Sequence, residues 1–351
     1  MAGSVDAGPA NWCAMKAWFL LGPRELELRE IPDPTPTAEQ AVVRVRAVGV
    51  CGSDTEAFIG RHPLPNYPRL PGHEFAGAVA AVPPGWTGPP VGTRVAVDPA
   101  LSCGECYACR QGRHNCCASV SIAGVHRPGA LAEYTLCRAS QLYPIPGDMD
   151  FATAATVETL SIGWQAVTRA GVQAGDRVVV LGAGPIGLCC LMMALLKGAR
   201  TLVSEPLAWR RALAGELGAE TCVDPNAEAV AERVNEFTGG YGAHVVMDAT
   251  GEVEGAELAF TLVGSAGRVV ILTLVAEPMR VEPWQLVRQE LTVLGSRLSL
   301  ADFGELVELT ASGKAPTGRL VSHRYAFEDA ARAFADSHER PEGLVKAVVK
   351  G

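Results

Sequence analysis

The chain has 351 residues, is 48% hydrophobic and 19% charged, and carries a net charge of −8. That length allows about two domains of ~100–200 residues each, and the apolar share excludes an intrinsically disordered chain. An acidic balance lacks the basic footprint of a nucleic-acid or anionic-membrane binder, so neither partner is expected.

In chain order, the opening MAGSVDAGPANWCA shows no basic, apolar export pattern. A second methionine, Met15, begins the strand-like MKAWFLL, so residues 1–14 are expected to be a dispensable extension. Without an export signal, a cytoplasmic location and reduced thiols are expected. The strand-like AVVRVRAVGV then leads into Cys51, and LPGHEFAGAV carries His73 and Glu74 into a further strand. Thiolate, imidazole and carboxylate are the ligand types of a catalytic zinc, whose remaining position takes water or substrate. Taken alone, residues so far apart are weak support for a shared site.

Five of the eleven cysteines follow within fifteen residues: Cys103, Cys106, Cys109, Cys116 and Cys117, in CGECYACRQGRHNCC. Paired C-x-x-C steps deliver thiolates from tight turns, and four of them close the tetrahedral shell of a structural zinc. Disulfide pairs or an iron–sulfur site are the competing readings. Spacing does not decide between Cys116 and Cys117 as the fourth ligand. Cys13, Cys137, Cys189, Cys190 and Cys222 have no ligand-like neighbours and read as small hydrophobes.

The run VVVLGAGPIGLCCLMMALL, Val178 to Leu196, is uncharged and long enough to span a bilayer. Its β-branched start, Gly/Pro turn and helix-like end instead predict a buried strand–turn–helix unit. Gly182, Gly184 and Gly187 form G-x-G-x-x-G, with Pro185 and Ile186 inside the turn. Such a turn brings backbone close to a pyrophosphate at a helix N-terminus. The next strand, TLVSE, ends in Glu205 at about the spacing of a ribose-hydroxyl acceptor. Further strands TCVD, HVVMDATG, RVVILTL and LTVLG alternate with helix-like AEAVAERVNEF, EGAELAFTLV and PWQLVRQ. The alternation predicts an α/β fold with about six parallel strands, a doubly wound Rossmann sheet.

Open-site Cys, then G-H-E, a four-Cys lobe and a dinucleotide turn: in that order the chain resembles the zinc-containing medium-chain dehydrogenase/reductase family, from Met15 to Gly351. The resemblance implies a β-rich GroES-like catalytic domain over 15–160 and 295–351, with a zinc lobe at about 100–118. It places an NAD-binding Rossmann domain at 161–294. Cys51 and His73 match the catalytic zinc ligands, and Cys103, Cys106, Cys109 and Cys117 the structural set, which selects Cys117. Glu205 matches the acidic residue on the adenosine ribose, and Arg210 a basic residue flanking the adenosine. Leu272 and Leu274 fall where the cofactor's nicotinamide end is contacted.

Within the family, Glu158 in TVETL is similar to the polyol and sugar (sorbitol-type) dehydrogenases, as are GVHRPGALAEY and LVSHRYAFEDAARAF. In that branch either Glu74 or Glu158 completes the zinc shell, and both stay open here. Arg297, in LGSRLSLADF, is near an arginine that contacts substrate or cofactor. Departures from relatives are Glu56 for His, Ala57 for Tyr, Thr159 for Pro and Thr273 for Gly; Ala57 is expected to leave room for a larger or cyclic substrate. His126 and His323 are expected to be structural or surface residues.

The implied activity interconverts a secondary alcohol of a polyol, sugar or sugar acid and its ketone, with two zinc ions per chain. NAD is expected over NADP because Glu205 would repel a 2′-phosphate. Ser53 would accept the hydroxyl proton and Asp54 would orient His73, against readings as a turn hydroxyl and a surface carboxylate. For Glu158 the plain alternative is a helix-start carboxylate, and for Arg297 a solvated charge. A homodimer or homotetramer is implied. The competing functions are a cyclitol or aminocyclitol dehydrogenase and a non-catalytic zinc scaffold.

Overall fold

A computed structural model describes residues 14–62 and 67–351. The chain opens with an antiparallel hairpin of β1 (Ala14–Gly22) and β2 (Glu25–Pro32). Ala14 belongs to β1; residues 1–13 of the expected extension, with Cys13, lie outside the described residues.

Half-buried alternation and β-branched residues then build a seven-stranded sheet. Its strands are β3 (Gln40–Gly49), β4 (Glu74–Ala81), β5 (Arg94–Val97), β6 (Tyr134–Arg138) and β7 (Leu142–Pro144), with two from the far end of the chain. Helix α1 (Gly52–Phe58) leaves the end of β3. Helix α2 (Val157–Ala170) leads out of this half towards the second sheet.

The second sheet is six-stranded and wholly parallel. The run Val178–Leu196 divides into strand β8 (Arg177–Leu181) and helix α3 (Pro185–Leu196), with the Gly turn between. Val178, Val179 and Val180 are fully buried, as expected of a central strand with helices on both faces. The remaining strands are β9 (Arg200–Ser204), β10 (Thr221–Val223), β11 (Ala243–Asp248), β12 (Val263–Ile271) and β13 (Thr292–Gly295). The strand order is β10–β9–β8–β11–β12–β13, the doubly wound order whose switch point lies at the end of β8. No helix among the described residues is long and apolar enough to cross a membrane.

Two late strands return to the first sheet, β14 (Val321–Tyr325) and β15 (Lys346–Lys350). β15 pairs with β3 through Val348 opposite Gly49, and β3 pairs with β4 through Gly49 opposite Glu74. This three-strand junction positions the first part of the site.

Candidate active site

Cys51 is the N-cap residue of α1, with extended backbone, and its carbonyl accepts the Thr55 N–H at 3.0 Å. His73 and Glu74 arrive from the opposite direction at the start of β4. One ligand atom from each of Cys51, His73 and Glu74 lies within 4.8 Å of the others. His73 is 7% exposed and Glu74 1% exposed, while Cys51 is half-buried at the edge of the group. The carboxylate of Glu74 pairs with the ammonium of Lys346, itself 2% exposed. Room for that pair comes from Gly49: a Cβ there would sit 3.2 Å from both Glu74 Cβ and Lys346 Cε, and closer still to the carboxylate.

Asp54, 1% exposed, faces Nδ1 of His73 at 3.5 Å, and Arg69 backs it at 4.0 Å. Asp54 is therefore a buried neighbour of His73 and not a surface residue. With Nδ1 so oriented, the opposite ring nitrogen is left for Cys51 and for a metal. Burial disfavours the charged imidazole, yet the carboxylate of Asp54 with Cys51 and Glu158 holds the His73 pKa well above its ordinary value. Burial likewise opposes the Lys346 ammonium, while Glu74 and Cys51 hold its pKa up. Such a pocket is rich in anions and favours a cation. Glu74 Oε1 also lacks a hydrogen-bond partner, and the donor set of sulfur, nitrogen and oxygen suits zinc.

Glu158 stands in the first turn of α2 and is 7% exposed. Burial pushes its pKa up to about 7, with His73 pulling down and Glu74 pushing up. It lies outside the three-residue cluster but within its electrostatic reach. Ser53 is half-buried in the first turn of α1, and its hydroxyl makes no hydrogen bond among the described residues. Thr159 is fully buried. Glu56 pairs with Arg61 on the surface. Ala57 is 1% exposed and packs into the core of the first sheet, so it does not open the expected room for a larger substrate.

The second cluster is formed by Cys103, Cys106, Cys109 and Cys117, again with all four sulfurs within 4.8 Å. Cys103 Sγ lies 3.5 Å from Cys117 Sγ and 4.0 Å from Cys109 Sγ. A tetrahedron of ~2.3 Å Zn–S bonds has sulfur–sulfur edges of ~3.8 Å, so the four thiols fit the ion. Backbone N–H groups of Glu105 and Cys106 pull the Cys103 pKa down to about 6, towards the thiolate a metal needs. Cys116 is exposed and outside the cluster. Cys137, Cys189 and Cys190 are buried, and burial pushes their thiols up and keeps them protonated.

At the switch point, Gly182 adopts a φ of +89°, and a Cβ on Gly187 would sit 2.9 Å from the Gly182 carbonyl carbon and closer to its oxygen. The turn is thereby fixed with Gly184 as the α3 N-cap, Pro185 at N1 and Ile186 half-buried. A turn of this geometry can hold a pyrophosphate against the α3 N-terminus. Glu205 follows β9 and is 4% exposed; its carboxylate accepts the Ala183 N–H at 2.7 Å and the Leu207 N–H at 3.0 Å. Arg210 is 8% exposed, donates to the Leu344 carbonyl at 3.3 Å, and approaches the space beside Gly184. Leu272 is half-buried and Leu274 is 70% exposed, while Thr273 accepts the Gly251 N–H at 3.0 Å. Arg297 is exposed just beyond β13, close enough to His126 to add to the burial that lowers its pKa. His126 itself accepts the Ile122 N–H, and His323 contacts Ser322; neither joins a metal cluster among the described residues.

Two family descriptions match the chain: an alcohol dehydrogenase GroES-like domain over residues 37–147 and a zinc-binding dehydrogenase over residues 185–312. The chain belongs to the zinc-containing medium-chain dehydrogenases. As an alcohol dehydrogenase of that family it uses zinc and a nicotinamide dinucleotide, NAD(P). It is 32% identical over 328 residues to L-galactonate-5-dehydrogenase of Escherichia coli, covering 93% of this chain and 96% of that one. An E. coli alcohol dehydrogenase solved with NADH superposes with a TM-score of 0.90 at 30% identity, covering 96% of this dehydrogenase and 99% of that chain. A zinc-binding dehydrogenase of Sinorhizobium meliloti bound to NADP gives 0.89 at 32% identity, with 97% and 100% covered.

Lys346, Arg69 and Asn115 were not singled out by sequence reasoning. The first carried a signal: in LVKAVVK it stands in a strand whose other central residues are all buried.

Proposed function

We propose that this dehydrogenase oxidises a secondary hydroxyl of a polyol, sugar or sugar acid to the ketone, with NAD. The observation that carries the reading is the meeting of Cys51, His73 and Glu74 within 4.8 Å, in a chain whose Gly182–Gly187 turn leaves no room for a Cβ at Gly187, as a pyrophosphate-binding turn requires. When bound, zinc would supply Lewis acidity and NAD a hydride acceptor. Cys51, His73 and Glu74 would hold the catalytic ion, with Glu158 as the alternative carboxylate, and Cys103, Cys106, Cys109 and Cys117 a second ion per chain.

Ser53 Oγ, without a competing hydrogen bond, accepts the proton from the substrate hydroxyl. Asp54 keeps His73 in one ring orientation. Glu158 hydrogen-bonds a neighbouring hydroxyl, and Arg297 reads a carboxylate or a further hydroxyl. Glu205 takes the ribose hydroxyls of NAD beside Arg210 and the Gly182–Ile186 turn, with Leu272 and Leu274 at the nicotinamide end. The sugar-acid name of the L-galactonate relative supports the substrate class.

We further assign the catalytic domain to 15–160 and 295–351 and the cofactor domain to 161–294. A homodimer or a homotetramer would form through the free edge of β13, where Val293 is 43% exposed, with the helix before it, Pro283–Gln289, offering Trp284 and Val287 at 60% and 81% exposure. A reducing cytoplasm suits the ten cysteines among the described residues, all of them unpaired. The test compares kcat/KM for hexitols, aldonates, cyclitols and simple alcohols by NADH absorbance. A preference for simple alcohols would overturn the reading, because a polar pocket leaves groups unpaired against them.

A further inference from the structure

A buried side chain of the zinc lobe reaches the segment that carries Arg297. Asn115 lies in the 3-10 turn His114–Cys116, inside the loop closed by Cys109 and Cys117, and is 3% exposed on a lobe that is otherwise largely open. Its Nδ2 donates to the Arg297 carbonyl at 2.8 Å, across 182 positions of sequence. The donor is fixed by chemistry, since a carbonyl can only accept. Asn115 Oδ1 has no partner, so this bond is the one hydrogen bond that its buried side chain makes among the described residues.

The segment carrying Arg297 is held from the other side by the helix that carries Glu158. Arg169 Nε donates to the Gly295 carbonyl at 2.6 Å, and Gln165 Oε1 accepts the Leu300 N–H at 3.0 Å. The Ser296 N–H donates to the Ile271 carbonyl at 3.0 Å. Between these points Leu298 sits at a φ of +48°, a backbone that persists for a residue with a Cβ only when its surroundings over-determine it.

We propose that Asn115 is a positioning residue that fixes the backbone of Arg297, so that the structural-zinc lobe sets the placement of the substrate-reading guanidinium. This rests on the assignment of Arg297 to substrate made above. Removing the bond leaves the reacting groups at Cys51, His73 and Ser53 in place and loosens only the arginine. The expected signature is a change in KM for substrates that Arg297 reads, with kcat retained.

The experiment uses the zinc-loaded, full-length enzyme as parent, Asn115→Ala, Asn115→Asp, Arg297→Ala and both doubles with Arg297→Ala. Each is assayed with an aldonate and with propan-2-ol, and checked for zinc content. Loss of one hydrogen bond corresponds to about a threefold to tenfold change. Both Asn115 variants should raise KM for the aldonate by that factor, leave propan-2-ol kinetics as in the parent, and add nothing in the Arg297→Ala background. Amide exchange at Ser296 and Leu300 should rise by a similar factor, with strand Arg177–Leu181 unchanged. Equal losses on both substrates, or effects that multiply in the doubles, would overturn the proposal. If Arg297→Ala itself leaves the aldonate-to-propanol ratio unaltered, the substrate role of Arg297 fails; unchanged exchange at Ser296 and Leu300 would defeat the clamp alone.

Discussion

Lys346→Met removes the ammonium that neutralises Glu74, in a place where both side chains are at most 2% exposed. Breaking a buried pair on one side strands the other charge, at a cost of ~3–5 kcal/mol. With ~2.1 cal/mol/K of unfolding entropy per residue, each kcal/mol shifts the melting temperature of 351 residues by ~1.4 °C, so the fall is about 5 °C. Zinc changes the size of the effect. An ion held by Cys51, His73 and Glu74 supplies a second compensating cation, so the same substitution should cost less than half as much in the loaded protein. Thermal unfolding of parent and variant, each with and without prior chelation, measures both numbers. Adding Glu74→Gln to Lys346→Met should return part of the loss in the chelated form, because no carboxylate is then left unpaired. A fall below about 2 °C in chelated protein, or equal falls with and without zinc, would refute the pairing argument.

Elemental analysis should find two zinc ions per chain; Cys51→Ala should keep one and lose turnover, while Cys106→Ala should keep one and unfold more readily. Full activity below one zinc per chain would contradict this. Glu205→Ser withdraws the acceptor from two backbone N–H groups and from the ribose, so kcat/KM with NAD should fall about tenfold and the gap to NADP should narrow; equal efficiency with both cofactors in the parent would defeat the assignment. Gly187→Ala drives a Cβ into the backbone of Gly182, which cannot rotate away, and nucleotide binding by calorimetry should be lost; retained micromolar binding would show that the turn can open.

The cofactor half was legible because its signals are local. Period, Gly spacing and the strand-ending Glu205 lie within some thirty residues, and six parallel strands formed, although the fifth runs from Val263 to Ile271, starting five residues before the expected RVVILTL. The thiol lobe was legible for the same reason, except that spacing leaves Cys116 and Cys117 equivalent, and the two differ in the fold, where only Cys117 joins the four-sulfur cluster. Long-range partners were not legible. Whether Asp54 faced solvent or His73 depended on where β4 meets α1, and Lys346 reaches Glu74 only because β15 and β4 both flank β3. Asn115 looked like one more polar residue in a loop, because its partner is a backbone carbonyl and carries no side-chain signature. Ala57 was misread in the other direction: a small residue at a position that relatives fill with an aromatic one suggested open space, and core packing closes it.

The return of β15 to the middle of the first sheet also orders events on the ribosome. All six strands of the nucleotide sheet emerge by residue 295, so that unit can form while synthesis continues. β3, made near the beginning, stays without one neighbour until Lys346–Lys350 leave the exit tunnel, and loop-closure entropy makes such distant pairing slow. Chains released early would expose an unpaired strand edge and the uncompensated Glu74, which marks nascent and truncated forms for chaperone capture. Residues 346–350 thus complete a sheet whose strand β3 lies about three hundred residues earlier in the chain.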